Sequence, residues 1–457
     1  MQAEDFGEEA GSRRPGRRPA AAAGQASGVA PQWQPSGSGA VPAARVWETL
    51  SADLGRSSSV HTVRLRNMQL MLRELRRNAT ITRADLGRST GLAKSTIKEI
   101  TDELIASGFV EEVRDPDLGG RIGRPATSLR LSPSAGRVVG IDIGAEKILA
   151  TVATLNGRVI ASARQESRNL TGKSAILRAV RSTFRKALAA SEVEASSVLA
   201  TVVGTPGVIH PQTGRISLAP QIRDWDGIDL HKELELPVTG PVIVKRQADL
   251  SALAEVALGV AQDIANLLYV HIGIGIGGAL VINGHLYTGN DGAAGEVGYL
   301  PLSFGEQPPA GTGYGTFEWA AGGSAFARFG RAAAQGPSGR RLRELAGGDI
   351  SKVSAAAVFT AAAEGDPQGI AIAEELTFRI ACGIASAVCV VNPKLAVISG
   401  GLSLAGETLL TMIRAKLARL VPVMPDLALS SFGEESVVVG AIQHGVDIAL
   451  DRIFAGG

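Results

Sequence analysis

The stretch "NLLYVHIGIGIGGALVINGHLYTG", Asn266 to Gly289, sets the architecture. An apolar run ends in glycines, a second apolar run follows, and Asn283-Gly284 leads into a third. Asn-Gly between such runs is the strongest short hairpin signal, so three antiparallel strands are predicted. "GIGIGG" (273–278) also matches GxGxxG. A dinucleotide site needs a helix directly after those glycines. The strand "ALVING" follows instead, which argues against nicotinamide-type binding.

The same arrangement occurs earlier, in "RVVGIDIGAEKILATVATLNGRVIASARQE", Arg137 to Glu166, with Asn156-Gly157 at the second turn. Two copies suggest an internally duplicated α/β fold, two lobes each opening with a glycine-turn hairpin. Between them "VLATVVGTPGVI" (198–209) reads as strand and loop, and "VKRQADLSALAE" (244–255) as strand into helix. "PKLAVISGGLSLAGETLLTMI" (393–413) reads as strand, Gly-Gly loop and helix. Strand ends at strand-to-helix junctions are where α/β proteins place their chemistry. Here that position carries Lys245, Arg246 and Gln247, two cations and an amide.

Upstream the texture differs. Residues 1–60, rich in Ala, Gly, Pro, Ser and Arg, read as a disordered tail. In residues 61–137, "VRLRNMQLMLRELRRN" places Leu65, Met68, Leu72 and Leu75 on one helical face. Thr82 is set to cap a short helix, Gly91 to make a tight turn, and a second helix to bury Ile97, Ile100, Leu104 and Ile105. Alternating runs "FVEEVR" and "TSLRLS" follow, joined by "DPDLGGRIGRP". This is the pattern of a winged helix-turn-helix. Lys94, Ser95, Thr96 and Lys98 lie at the start of the second helix, where a recognition helix meets base edges. Arg121 and Arg124 lie on the glycine-rich wing, slender enough for a minor groove.

Charge agrees with that division. Residues 61–140 hold 14 Lys/Arg against 9 Asp/Glu, although the whole chain is only +2. A basic module on a mildly acidic body predicts double-stranded DNA as the module's partner. No window reaches the roughly 18 apolar residues a membrane span needs. The N-terminus starts acidic without an apolar signal core, so a cytoplasmic protein with no membrane partner is expected. The two cysteines, Cys382 and Cys389, lie on one face of a predicted helix and read as buried packing.

The motifs together resemble the ROK family, which contains sugar kinases and sugar-responsive repressors. "GIDIGAEK" (140–147) resembles its first phosphate loop, and "GTPGVI" and "APQIRDWDGIDL" its middle segments. "GIGIGGALVINGHLYTGNDGAAGEVGYL" (273–300) resembles its signature around the ExGH element, and "VISGGLS" (397–403) its adenosine loop. The winged helix with "GGRIGRP" resembles the repressor branch. The resemblance implies an actin-like, RNase-H-type two-lobed body over residues 138–457, divided near residue 245.

It also exposes departures. The family's Asn-Asp strand-end pair falls on Arg246-Gln247, and that Asp is the kinases' general base. Gln cannot accept the sugar hydroxyl's proton. Asp249, about 200° around the helix from Gln247, points away from that position. The phosphate loop's Thr position is Glu146, which would repel ATP phosphates. The family's Cys-rich zinc loop maps to "FGEQPPAGTGYGTFE" (304–318), without cysteine, and the ExGH histidine is Tyr299. The resemblance thus implies no catalytic residue, no cofactor and no metal.

Glu296 and Glu318 fall on the family's sugar-contacting acids. With Arg246, Gln247 and Tyr299 they form the expected pocket for a small carbohydrate-type ligand. Arg246 has two readings: it pairs with an acidic or phosphorylated ligand, or it is locked internally to Glu296 or Glu318. The expectation is a non-enzymatic, DNA-binding regulator, by default a repressor, that senses a sugar. A ligand-independent scaffold is the alternative and an active kinase a remote one. A homodimer or tetramer would read a near-palindromic operator.

Overall fold

The computed structural model describes residues 59–78, 80–114 and 127–455. The tail assigned to residues 1–60 falls almost wholly outside them, as do the wing residues Arg121 and Arg124. The side chain of Leu65 is also outside the described set.

The head starts with α1 (Ser59–Arg77), which buries Met68, Leu72 and Leu75. Strand β1 (Ile81–Thr82) runs into α2 (Arg83–Thr90). Thr82 caps α2 by accepting the Asp85 N–H at 3.1 Å, the cap expected of a threonine before a helix. Gly91 closes α2 at φ 72°, a left-handed conformation that costs glycine little. Then α3 (Lys94–Ala106) buries Ile97, Ile100 and Leu104 and leaves Ile105 half-buried. Strands β2 (Val110–Arg114) and β3 (Thr127–Leu131) pair antiparallel, and β1 adds to the far edge of β3.

The body repeats one sheet twice. In the first lobe β4 (Arg137–Ile143), β5 (Lys147–Thr154) and β6 (Val159–Glu166) form an antiparallel meander. Helix α4 (Lys173–Ser191) leads to β7 (Val198–Thr205), parallel to β4, and β8 (Val242–Arg246) adds parallel to β7. Helix α5 (Gln247–Leu258) follows immediately. In the second lobe β9 (Leu267–Ile272), β10 (Ile276–Ile282) and β11 (His285–Tyr287) make the same meander. The short helix α6 (Thr316–Ala321), α7 (Gly323–Gln335), α8 (Ala355–Ala363) and α9 (Pro367–Val391) come next. Strand β12 (Leu395–Ser399) lies parallel to β9; α10 (Gly406–Leu417) and parallel β13 (Asp426–Leu429) complete the sheet. The strand orders, β8-β7-β4-β5-β6 and β13-β12-β9-β10-β11, are equivalent. The duplication read from the two glycine-turn hairpins is therefore real.

The two Asn-Gly turns differ. Asn283 and Gly284 both have positive φ, 53° and 79°, as a two-residue type I′ hairpin requires. At the first turn only Gly157 does, and a register shift after Val152 makes room for a longer loop.

Helix α11 (Ser436–Ala455) returns to the first lobe and packs on β4, β7 and α5. A Cβ built at Gly440 would lie 1.8 Å from the Leu250 carbonyl oxygen, so α5 and α11 cross at a distance only glycine allows. The outer face of α11 carries the head. Val438, Ile442, Val446, Ala449 and Leu450 share one apolar cluster with Met68, Leu72 and Leu75 of α1. Arg73 pairs with Asp451 at 2.9 Å, and Arg76 with Asp447 and Gln443. Cys382 is half-buried and Cys389 exposed, so the buried packing expected of both does not hold: in the last turn of α9 Val388 takes the core side and Cys389 lies beside exposed Val390. Among the described residues no helix is long and apolar enough to cross a membrane.

Candidate functional site

The end of β8 faces the second lobe. Arg246 is only 3% exposed and pairs with Asp249 through two hydrogen bonds, Nε to Oδ2 at 3.0 Å and Nη2 to Oδ1 at 2.5 Å. Its Nη1 donates to Glu296 Oε1 at 2.7 Å and its Nη2 also to the Ala294 carbonyl at 2.7 Å. Burial opposes the guanidinium's charge, but Asp249 and Glu296 outweigh it and hold the group protonated. Of the two readings of Arg246, the structure shows internal pairing, with Glu296 and not Glu318. Asp249 does turn away from Gln247, yet it is the principal partner of Arg246. A side chain one residue before the helix folds back onto the helix's first turn, which a helical wheel drawn from Gln247 does not register.

Gln247 begins α5 and donates its amide to Asp142 Oδ1 at 2.6 Å, at the end of β4. Burial pushes Asp142 up to about 6, against the Gln247 hydrogen bond and Lys147. The neighbouring phosphate-loop residues are engaged elsewhere. Lys147 donates to the Glu434 carboxylate at 2.9 Å, and Glu146, largely in solvent, accepts from Arg168 at 3.3 Å. Glu146 thus sits in an exposed pair with Arg168, whereas the amide of Gln247 is held between the lobe's strand ends.

On the second lobe, Glu318 in α6 is 5% exposed and accepts from the backbone N–H groups of Ile276 and Gly315, each at 3.3 Å. A Cβ on Gly275 would lie 1.7 Å from Glu318 Oε1. The glycine run therefore lets a carboxylate approach the backbone. Burial pushes Glu318 up to about 7. Tyr299 donates its hydroxyl to the Gly313 carbonyl at 2.6 Å. Burial, then Glu318, Glu296 and Asp226, push that hydroxyl up to about 12. Three carboxylates therefore act electrostatically on the Tyr299 hydroxyl, while Arg246 is spent on Asp249 and Glu296. Asp226 went unnoticed in the sequence; its position in "RDWDG", beside the buried Trp225, was the available signal.

In the head, Lys94, Ser95 and Lys98 are exposed and Thr96 half-exposed at the start of α3. Lys98 Nζ lies 2.8 Å from Asp102. The acids farther along α3 are turned onto basic neighbours: Glu99 and Glu103 onto Arg64, and Asp102 also onto Arg83. The exposed start of α3 is left with its lysines and hydroxyls, a surface able to meet phosphates and base edges.

Residues 138–444 match the ROK family, and residues 64–111 match a winged helix-turn-helix DNA-binding model. The xylose repressor of Caldicellulosiruptor bescii is 26% identical over 76% of this chain and 86% of its own. A glucokinase of Halalkalibacterium halodurans is 29% identical over 66% of this chain and 92% of its own. A solved ROK family transcriptional regulator, a homolog of the E. coli MLC protein, superposes with a TM-score of 0.69. It covers 86% of this chain and 100% of its own at 21% identity. With a ROK match across most of its length, on a duplicated two-lobed body that carries a winged helix-turn-helix, the chain belongs to the ROK family.

Proposed function

We propose that this protein is a sugar-responsive, DNA-binding repressor that does not transfer phosphate. The observation that carries the reading is a DNA-binding head sharing a core with a ROK body in which the residue just after β8 is an amide, Gln247, bonded to Asp142. An amide cannot take the proton of a sugar hydroxyl. The repressors among its relatives support regulation; the glucokinases support the sugar-binding ancestry of the body.

The ligand class follows from charge. Glu296, Glu318 and Asp226 add negative charge felt at the Tyr299 hydroxyl, and Arg246 is neutralised within the protein. A neutral sugar of pentose or hexose size, binding through hydroxyl pairs, suits that surface; a sugar acid or phosphate meets net negative charge. A ligand that favours one arrangement of the lobes would act through α5 and α11 on the head, and so on the spacing of two heads in a homodimer or tetramer on a near-palindromic operator.

A thermal-shift screen of neutral sugars, sugar acids and sugar phosphates tests this, followed by gel-shift titration on the gene's own upstream DNA. Stabilisation by a neutral sugar together with weakened DNA binding is expected. DNA binding indifferent to every sugar would favour a second reading, a ligand-independent regulator using the body as a scaffold. The saturation of Arg246 by its own neighbours supports that alternative.

A further inference from the structure

The family likeness implies a zinc in loop 304–318, and the residues present do not fit one. The loop has no cysteine or histidine, so thiolate and imidazole ligands are lacking. Tyr299, at the histidine's position, gives its hydroxyl to Gly313. The oxygens of Glu318 accept backbone N–H groups. Those of Glu306 are held by two arginines: Oε2 by Arg328 at 2.5 Å and Oε1 by Arg379 at 2.6 Å.

We propose that this shared carboxylate, Glu306 between Arg328 and Arg379, fastens the loop where relatives use a metal, and thereby positions Tyr299 and Glu318. Each arginine ties the loop to the chain just after Glu318. Arg328, on α7, donates to the Trp319 carbonyl at 3.3 Å, with its guanidinium 4.1 Å from the Trp319 ring centroid. Arg379, on α9, donates to the Ala320 carbonyl at 3.2 Å and to Glu375 at 2.8 Å, and lies 5.1 Å from both the Phe304 and Phe329 rings. The rings lie against the two guanidinium groups and add cation–π attraction to the ion pairs. The loop's other end supplies the Gly313 carbonyl that Tyr299 bonds and the Gly315 N–H that Glu318 bonds. Glu306, Arg328 and Arg379 are positioning residues: they act through the loop.

An Arg–Glu–Arg group is often no more stabilising than apolar residues of the same volume, whereas removing one member strands the others; here Arg379 is buried and Glu306 and Arg328 are partly exposed, so water softens both effects. The expected effect of breaking it is therefore local loosening as much as lower stability. The fastening stands independently of the sugar-sensing reading; its consequence for ligand affinity rests on that reading.

The experiment compares wild type, Glu306→Gln and Arg328→Gln by limited proteolysis, thermal melting with and without a zinc chelator, and calorimetry with D-xylose and D-glucose. Wild type should melt alike with and without chelator, and both variants should be cleaved between residues 303 and 315 about tenfold faster. Arg328 is partly exposed, so its variant keeps the test open if Glu306→Gln fails to fold. Glu306→Asp, which keeps the charge, should recover much of the protection. If wild type binds either sugar, the variants should bind it about tenfold more weakly. If wild type binds neither, the sugar reading is set back while cleavage still decides the fastening. Stoichiometric zinc with a chelator-dependent melt, or variants as protected as wild type, would overturn the proposal.

Discussion

Arg246 at the end of β8 and Glu296 beside the second sheet are joined at 2.7 Å, a direct tie from the first lobe to the second. Arg246→Ala would strand Asp249, 2% exposed, and leave Glu296 without its cation. Breaking a buried pair by removing one partner costs about 3–5 kcal/mol. We expect a loss of that order in denaturant unfolding, with much of it recovered in Arg246→Ala/Asp249→Ala. Arg246→Asn should likewise lower stability without turning a preference for anionic ligands into one for neutral sugars. A wild-type preference for sugar phosphates, lost in Arg246→Asn, would contradict the internal pairing.

Gln247 donates to Asp142 at 2.6 Å, so Gln247→Asp would set two carboxylates against each other. They cannot both ionise at that separation, so one pKa must rise. The variant should be less stable than wild type, and the deficit should grow from about pH 6 to about pH 8. Wild-type protein incubated with ATP and glucose or xylose should make no sugar phosphate above a no-enzyme blank. Turnover above that blank would show that another group serves as base.

What was legible in the sequence was local. Apolar runs broken by Gly and Asn-Gly announced both meanders, and Thr82, Gly91 and the face of α3 announced the head. The pairing of Arg246 with Glu296 stood among the readings because both fell on motif positions. The pairing of Asp249 with Arg246 was missed because Arg246 reaches forward onto the helix from the N-cap. The Glu306 group joins residues up to 73 apart in sequence, and no periodicity links such positions. The return of α11 to the first lobe escaped for the same reason: packing between Ser436–Ala455 and Arg137–Ile143, at opposite ends of the body, leaves no local trace.

Glu318 ties pH to both stability and binding. Its folded pKa, about 7, lies above the ordinary 4.5, and Asp142, raised to about 6 from 3.8, has the same sign. A group that binds its proton more tightly when folded adds stability at low pH and loses it as pH rises through the folded value. These two groups should therefore favour the folded state more near pH 5 than near pH 8, and Glu318→Gln should flatten that dependence in thermal melts. Sugar binding should run the other way. An ionised carboxylate accepts hydroxyls more strongly than a neutral one, so affinity should fall below about pH 7. Sugar affinity unchanged across that range would remove Glu318 from the ligand contacts.

DNA binding should separate contacts that hold from contacts that read. Lys98 is tied to Asp102 at 2.8 Å in an exposed, solvent-screened pair that is easily exchanged for a phosphate. Asp102→Ala should then raise affinity for all sequences alike, by removing a negative charge near the duplex. Lys98→Ala should lower it uniformly and reduce the salt slope by about one unit if its contact is a phosphate. Lys94, Ser95 and Thr96 stand closer to the start of α3. Loss of a base contact there should cost about 1–3 kcal/mol and relax preference at one operator position. Arg124 belongs to the wing, outside the described residues, and its expected place is the minor groove. Arg124→Ala should weaken binding most where the operator is A·T-rich, because a narrow groove draws arginine most strongly. Affinities measured on operators with A·T and G·C flanks decide it: equal losses on both would mean a phosphate contact, and no loss on either would mean that the wing stays out of the groove.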